Sequence, residues 1–305
     1  MAPSAAFRSD LTTETRRVLR RRFWRSALAG LALLLHQDAS SLQFSSTVNV
    51  VEVYATVTDA DGIPVQGLRR EDFVVREDGQ IQQVATFAAG EFPLSVAVAI
   101  DRSFSMRGKR LAAARSAAQA FLGELRRADE AMVIGIGSTV EVLAPLSTNR
   151  ASQQTALSRL DAFGTTGLHD SILTAIDAVQ PARGRRALVL LSDGADRYSA
   201  ASATEAVQKA RTSDVLVYPI ALGSERPPLF AELAAVTGGH SYHVADPVRL
   251  AETLRTIAGE LRHQYLLGYS PTRPIVAGGG EWRAIQVTVQ RPGVRVRARD
   301  GYVAR

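Results

Sequence analysis

Oxygen-bearing side chains gather in three short stretches of this 305-residue chain. The first is Asp101-Arg102-Ser103-Phe104-Ser105. The second is Phe163-Gly164-Thr165-Thr166-Gly167-Leu168-His169-Asp170, and the third is Ser192-Asp193-Gly194-Ala195-Asp196. Residues 101, 103 and 105 alternate, which sets one carboxylate and two hydroxyls on a single tight turn. Asp193 adds a second carboxylate, and the Thr165-Thr166 pair adds a third hydroxyl. A donor set of hard oxygens suits Mg2+ or Mn2+, which take about six oxygen ligands and, for Mg2+, give up water reluctantly. Zinc and copper, which favour imidazole and thiolate, fit it poorly.

The elements that must bring these residues together are legible as apolar runs. Ser95–Ile100 reads as a buried strand and delivers Asp101 at its end. Ala187–Leu191 reads the same way and delivers Ser192-Asp193. The middle stretch feeds a helical pattern over Ser171–Val179. Further buried strands are expected at Ala131–Ile136, Val215–Leu222 and Ser241–Val244, and helices at Leu111–Leu125, Thr155–Leu160, Ala203–Arg211 and Leu229–Val236. Asp246 followed by Pro247 marks the start of a last helix, with Leu250, Leu254, Ile257 and Leu261 on one face. Short strands alternating with helices over residues 93–263 predict an α/β domain: a doubly wound, mostly parallel sheet with helices on both faces. Such a sheet takes ligands beyond the carboxyl ends of its strands, where strand order reverses. That is where all three stretches fall.

The flanks have a different period. In residues 47–90, Val51, Val53, Ala55 and Val57 alternate as one apolar face. Phe73–Arg76 and Ile81–Phe87 read as a hairpin around Asp78-Gly79. In residues 264–305, Gln264–Tyr269, Ala284–Val289 and Val294–Ala298 are strand candidates. Neither flank is large enough to bury a core alone. The two are therefore expected to pair into one small β-sandwich-like unit. Arg295, Arg297 and Arg299 are expected to form the solvent face of an edge strand.

Composition bounds the rest. A hydrophobic fraction of 46% and a charged fraction of 22% are those of a globular chain. The absence of cysteine excludes disulfide frameworks, zinc–thiolate sites and thiol catalysis. The net charge of +6 resembles a nucleic-acid signal, but residues 1–39 hold seven Arg against three acidic residues, so the remainder carries only +2. No nucleic-acid partner is expected. The leader, residues 1–39, combines an Arg-rich start with the uncharged run Ser26–Leu35. It reads as a signal peptide or a short membrane anchor, and Arg20-Arg21 resembles a twin-arginine signal. Export to the periplasm or cell envelope follows, with membrane association through this segment.

The three motifs, in this order and spacing, resemble those of the von Willebrand factor type A domain. Asp101-Arg-Ser103-Phe-Ser105 resembles that family's metal-ion-dependent adhesion site, Gly164–Asp170 its Gly-Gly-Thr-x-Leu-Tyr-Asp segment, and Ser192-Asp193-Gly194 its last strand end. The departures are Thr165 for Gly and His169 for Tyr. The resemblance covers about 170 residues, and the flanked chain also looks like bacterial proteins related to this family. It implies Asp101, Ser103, Ser105, Thr166 and Asp193 as metal ligands. It also implies Mg2+ or Mn2+ as the ion, a partner protein presenting a carboxylate, and binding without turnover. The alternatives are a structural envelope module with an unused site and a metal-dependent hydrolase. The second lacks a phosphate loop, an Asp-x-Asp nucleophile and a Gly-x-Ser-x-Gly elbow. Asp170 and Asp196 are expected as capping or surface groups, and His169, His240, His243 and His263 as solvated or satisfied side chains.

Overall fold

The computed structural model describes residues 50–90, 92–276 and 278–305. The signal or anchor expected in residues 1–39 lies outside them. The N-terminal flank forms β1 (Val51–Thr58), β2 (Phe73–Glu77), β3 (Gln80–Gln82) and β4 (Val84–Gly90). The α/β domain follows with β5 (Leu94–Asp101), α1 (Lys109–Glu124), β6 (Glu130–Ile136), β7 (Val140–Ser147), α2 (Arg150–Ser158) and α3 (Leu168–Val179). It continues with β8 (Arg185–Ser192), α4 (Ala203–Thr212), β9 (Val215–Leu222), α5 (Pro228–Thr237), β10 (Tyr242–Val244) and α6 (Leu250–Arg262). The C-terminal flank supplies β11 (Gln264–Tyr269), β12 (Glu281–Val289), β13 (Arg295–Arg297) and β14 (Gly301–Ala304).

The central sheet runs β10-β9-β8-β5-β6-β7 and is parallel except for β7. The pleat sends alternate residues of β5 into two cores. Val96, Val98 and Ile100 pack with α1, α2 and α6; Ala97 and Ala99 pack with α3, α4 and α5. With side chains buried on both faces, the strands read as continuous apolar runs. The helix after β5 lies on one face and the helix after β8 on the other, although β5 and β8 are neighbours. Their following loops therefore part company, and a crevice opens at the carboxyl ends of these two strands.

The flanks build a β-sandwich-like unit. One sheet runs β13-β1-β11-β4 and the other β14-β12-β2-β3, so each contains strands from both ends of the chain. Val51, Val53, Ala55 and Val57, with Tyr265, Leu267 and Tyr269 beside them on β11, share one core with Phe73 and Ile285 of the other sheet. The β2–β3 turn has positive φ at Asp78 (46°) and Gly79 (80°), the two-residue geometry that matches strand twist.

Four local expectations need correction. The strand read over Ile81–Phe87 is two strands in different sheets, because the chain turns the corner of the sandwich at Gln83. Gln82 stays with the β14-β12-β2-β3 sheet, where its amide exchanges hydrogen bonds with Thr272. Edge strand β7 was not expected; Pro145 and register shifts against β6 blur its alternation. Strand β14 was not expected either, being only four residues long. Finally, Arg297 and Arg299 do not face solvent. Arg297 pairs with buried Glu260 at 2.8 Å, and Arg299 with Asp214.

Candidate metal centre

Strand β5 ends in Asp101, whose side chain is fully buried. One oxygen accepts a 2.9 Å bond from the Ser103 backbone N–H, and the other a 2.7 Å bond from the Ser192 hydroxyl. The Thr166 hydroxyl lies 3.4 Å from both oxygens. Among the described residues, no cation forms an ion pair with this carboxylate. Burial pushes its pKa up, the bonds from Ser103 and Ser192 oppose that, and neighbouring Asp193 adds to it. An isolated buried carboxylate is costly, and an adjacent cation would relieve the cost.

Ser103 is buried and Ser105 exposed, with their hydroxyl oxygens 3.0 Å apart. That spacing matches the edge of an octahedron with metal–oxygen bonds of roughly 2.1 Å, about 3 Å. Backbone bonds stitch the loops together: Phe163 N–H to Arg102 O at 2.6 Å, Phe104 N–H to Gly164 O at 3.0 Å and Arg197 N–H to Thr166 O at 3.0 Å. Asp193 is not hydrogen-bonded to the other four candidates. Its carboxylate accepts from Ala195 N–H at 3.2 Å and lies 3.9 Å from the Arg110 guanidinium. Thr166 rather than Thr165 touches Asp101.

The remaining acids and histidines have local work. Asp196 accepts from Leu168 N–H at 2.7 Å and from the Ser199 hydroxyl at 2.6 Å, which holds the first turn of α3. Asp170 accepts from the backbone N–H groups of Ala200 and Ala201, and these bonds hold its carboxyl below the usual range. His169 Nδ1 is 3.0 Å from Ala201 O, and His243 Nε2 is 2.8 Å from Gly223 O. Among the described residues, no group of three or more His, Asp or Glu is arranged to hold a metal. The candidate centre is a two-carboxylate, three-hydroxyl arrangement, and these donors fit a hard divalent ion.

Two features escaped sequence reasoning. Ser192 was quoted within its motif, but nothing in the sequence marked it as the donor that fixes Asp101. Arg110, on the first turn of α1, reaches Asp193 and donates to Ser105 O at 3.3 Å. Its position on the helix gave no sign of this.

Residues 96–195 match the family model of the von Willebrand factor type A domain. A UPF0353 protein of Mycobacterium leprae is 28% identical over 232 residues, covering 64% of this chain and 66% of that protein. One of Mycobacterium tuberculosis is 29% identical over 212 residues, covering 57% and 60%. The chain thus spans just under two thirds of the length of these relatives. Among solved structures, a von Willebrand factor type A protein from Catenulispora acidiphila superposes with a TM-score of 0.53 at 18% identity, over 86% of this chain and 65% of that one. The PilB minor pilin from Streptococcus sanguinis gives 0.50 at 13% identity, over 57% and 62%. At these identities the likeness concerns the fold. The family model runs from Val96 in β5 to Ala195 in the third motif, so residues 96–195 carry the match to the von Willebrand factor type A domain.

Proposed function

We propose that the chain is an exported, non-enzymatic binding module. It holds Mg2+ or Mn2+ through Asp101, Ser103, Ser105, Thr166 and Asp193 and uses that ion to bind a carboxylate of a partner protein. The observation that carries this reading is the fully buried Asp101 carboxylate, ringed by hydroxyls and without a cationic partner among the described residues. The bound ion would supply the missing positive charge and an open coordination position. The chain's own residues orient the ligand oxygens and exclude bulk water. Envelope location rests on the Arg-rich leader and its uncharged run. Among the described residues, no helix is long and apolar enough to cross a membrane.

The test is capture from an envelope fraction with the full chain and with Asp101→Ala, each in Mg2+ and in EDTA. A partner retained only by the wild type and only with metal supports the reading. Equal retention in all four conditions contradicts it.

A further inference from the structure

The loops around the candidate centre carry more than metal donors. Phe104 is 54% exposed, Phe163 56% and Tyr198 69%. These are the strongly exposed aromatic rings among the described residues, and each sits in or beside one of the three motifs. The backbone bonds from Phe104 to Gly164, from Phe163 to Arg102 and from Arg197 to Thr166 tie their segments to one another and to the site. Exposed aromatics gathered at one place are costly to leave in water and typical of binding hot spots.

The charge at this rim is predominantly cationic. The carboxylates of the three motifs are engaged internally: Asp101 with hydroxyls, Asp170 and Asp196 with backbone N–H groups, Asp193 with Ala195 N–H. The exposed charged groups on the same loops are Arg107, Lys109, Arg159 and Arg197 against Asp161, a cationic excess. Arg107 lies over the Phe104 ring at 4.8 Å, which joins cation and aromatic surface.

We infer that Phe104, Phe163 and Tyr198 form a collar that selects the partner. It takes an acidic protein segment in which the Asp or Glu stands beside a large apolar side chain. The inference rests on the metal-dependent reading for the placement of that carboxylate. The collar accounts for the neighbouring apolar group and the cationic rim for the acidic character. A protein segment is favoured over a nucleic acid because the rim carries scattered cations offset by Asp161 rather than a continuous basic stripe.

The test selects a library of randomised short peptides on the full chain, in Mn2+ and again in EDTA, beside a single-stranded oligonucleotide. The expected result is enrichment of peptides that place Asp or Glu next to Phe, Leu, Ile or Trp. Their affinity should fall at least about tenfold on combined Phe104→Ala, Phe163→Ala and Tyr198→Ala, with Mn2+ binding unchanged. The collar is overturned by enriched acidic peptides without an apolar neighbour, by binding undiminished in the triple variant, or by an oligonucleotide that outbinds every peptide. In each of these, the Mn2+ titration still judges the metal reading separately. The same apolar-acidic peptides selected equally well in EDTA would keep the collar and remove the metal reading. No enrichment of acidic sequences in either condition overturns the collar.

Discussion

Asp101 is held in place by what surrounds it rather than by an opposite charge. Removing the Ser192 hydroxyl takes away its shortest side-chain bond, and Gly194 N–H loses its 3.0 Å acceptor at the same time. Ser192→Ala is therefore expected to weaken metal binding by disordering Asp101, although Ser192 is not itself a proposed ligand. The two threonines separate cleanly. Thr166→Ala should lower Mn2+ affinity by about tenfold, since one hydroxyl donor is worth roughly 1–2 kcal/mol. Thr165→Ala should leave it nearly unchanged, and calorimetric titration of the two variants checks this. The placement of these residues at or beside strand ends was legible because the buried strands read as apolar runs; their choice as ligands came from the resemblance. Ser192's bond and Arg110's reach were not legible, since both depend on which loop lies opposite.

At the scale of elements, the site needs its loops held tightly. Gly194 has φ 82°, and a Cβ there would sit 2.0 Å from Pro227 Cγ, at the start of α5. That contact locks the Asp193 loop against the next element. The α3 end is held by the Asp170 carboxylate, whose folded-state pKa is depressed by the Ala200 and Ala201 N–H groups. A depressed carboxyl stabilises the fold above its unfolded value, about pH 4, and loses that contribution as pH falls through the folded value. Asp170→Ala should then lower the melting temperature at pH 7, and the gap from wild type should narrow in acid. In the sandwich, buried Glu77 accepts from Tyr269 and Tyr302, each at 2.9 Å, and from Arg283 at 3.1 Å. Glu77→Ala removes the buried acceptor shared by the two tyrosine hydroxyls and Arg283, and should cost about 3–5 kcal/mol by denaturant unfolding. The buried strands β5, β6, β8 and β9 could be read from apolar runs. The edge strands β7 and β14 could not, because β7 is half-exposed and interrupted by a proline and β14 is only four residues long.

At the scale of the whole molecule, polar bridges join the sandwich to the α/β domain. Arg185 on β8 is buried, and burial pulls its pKa down to about 10. It donates to Gln264 at 3.1 Å, and Gln264 donates to Thr56 at 2.8 Å, so β8, β11 and β1 share one chain of bonds. Arg297 completes a second bridge, to Glu260 at 2.8 Å and to Gly239 O at 2.9 Å. Arg297→Ala should therefore destabilise the fold by several kcal/mol, because it leaves buried Glu260 without its cation. Arg295→Ala, on an exposed position of the same strand, should shift the melting temperature little. This pair also shows what alternation conceals. Cations spaced two apart look like a solvent face until a second layer packs on them.

The central claim is that Asp101 and its neighbouring hydroxyls hold a divalent cation. Calorimetric titration of the full chain with Mn2+, beside Asp101→Ala, tests it most directly. Saturable heat in the wild type, lost in the variant while its melting cooperativity persists, is the predicted result. No heat in the wild type, or equal heat in both proteins, would contradict it.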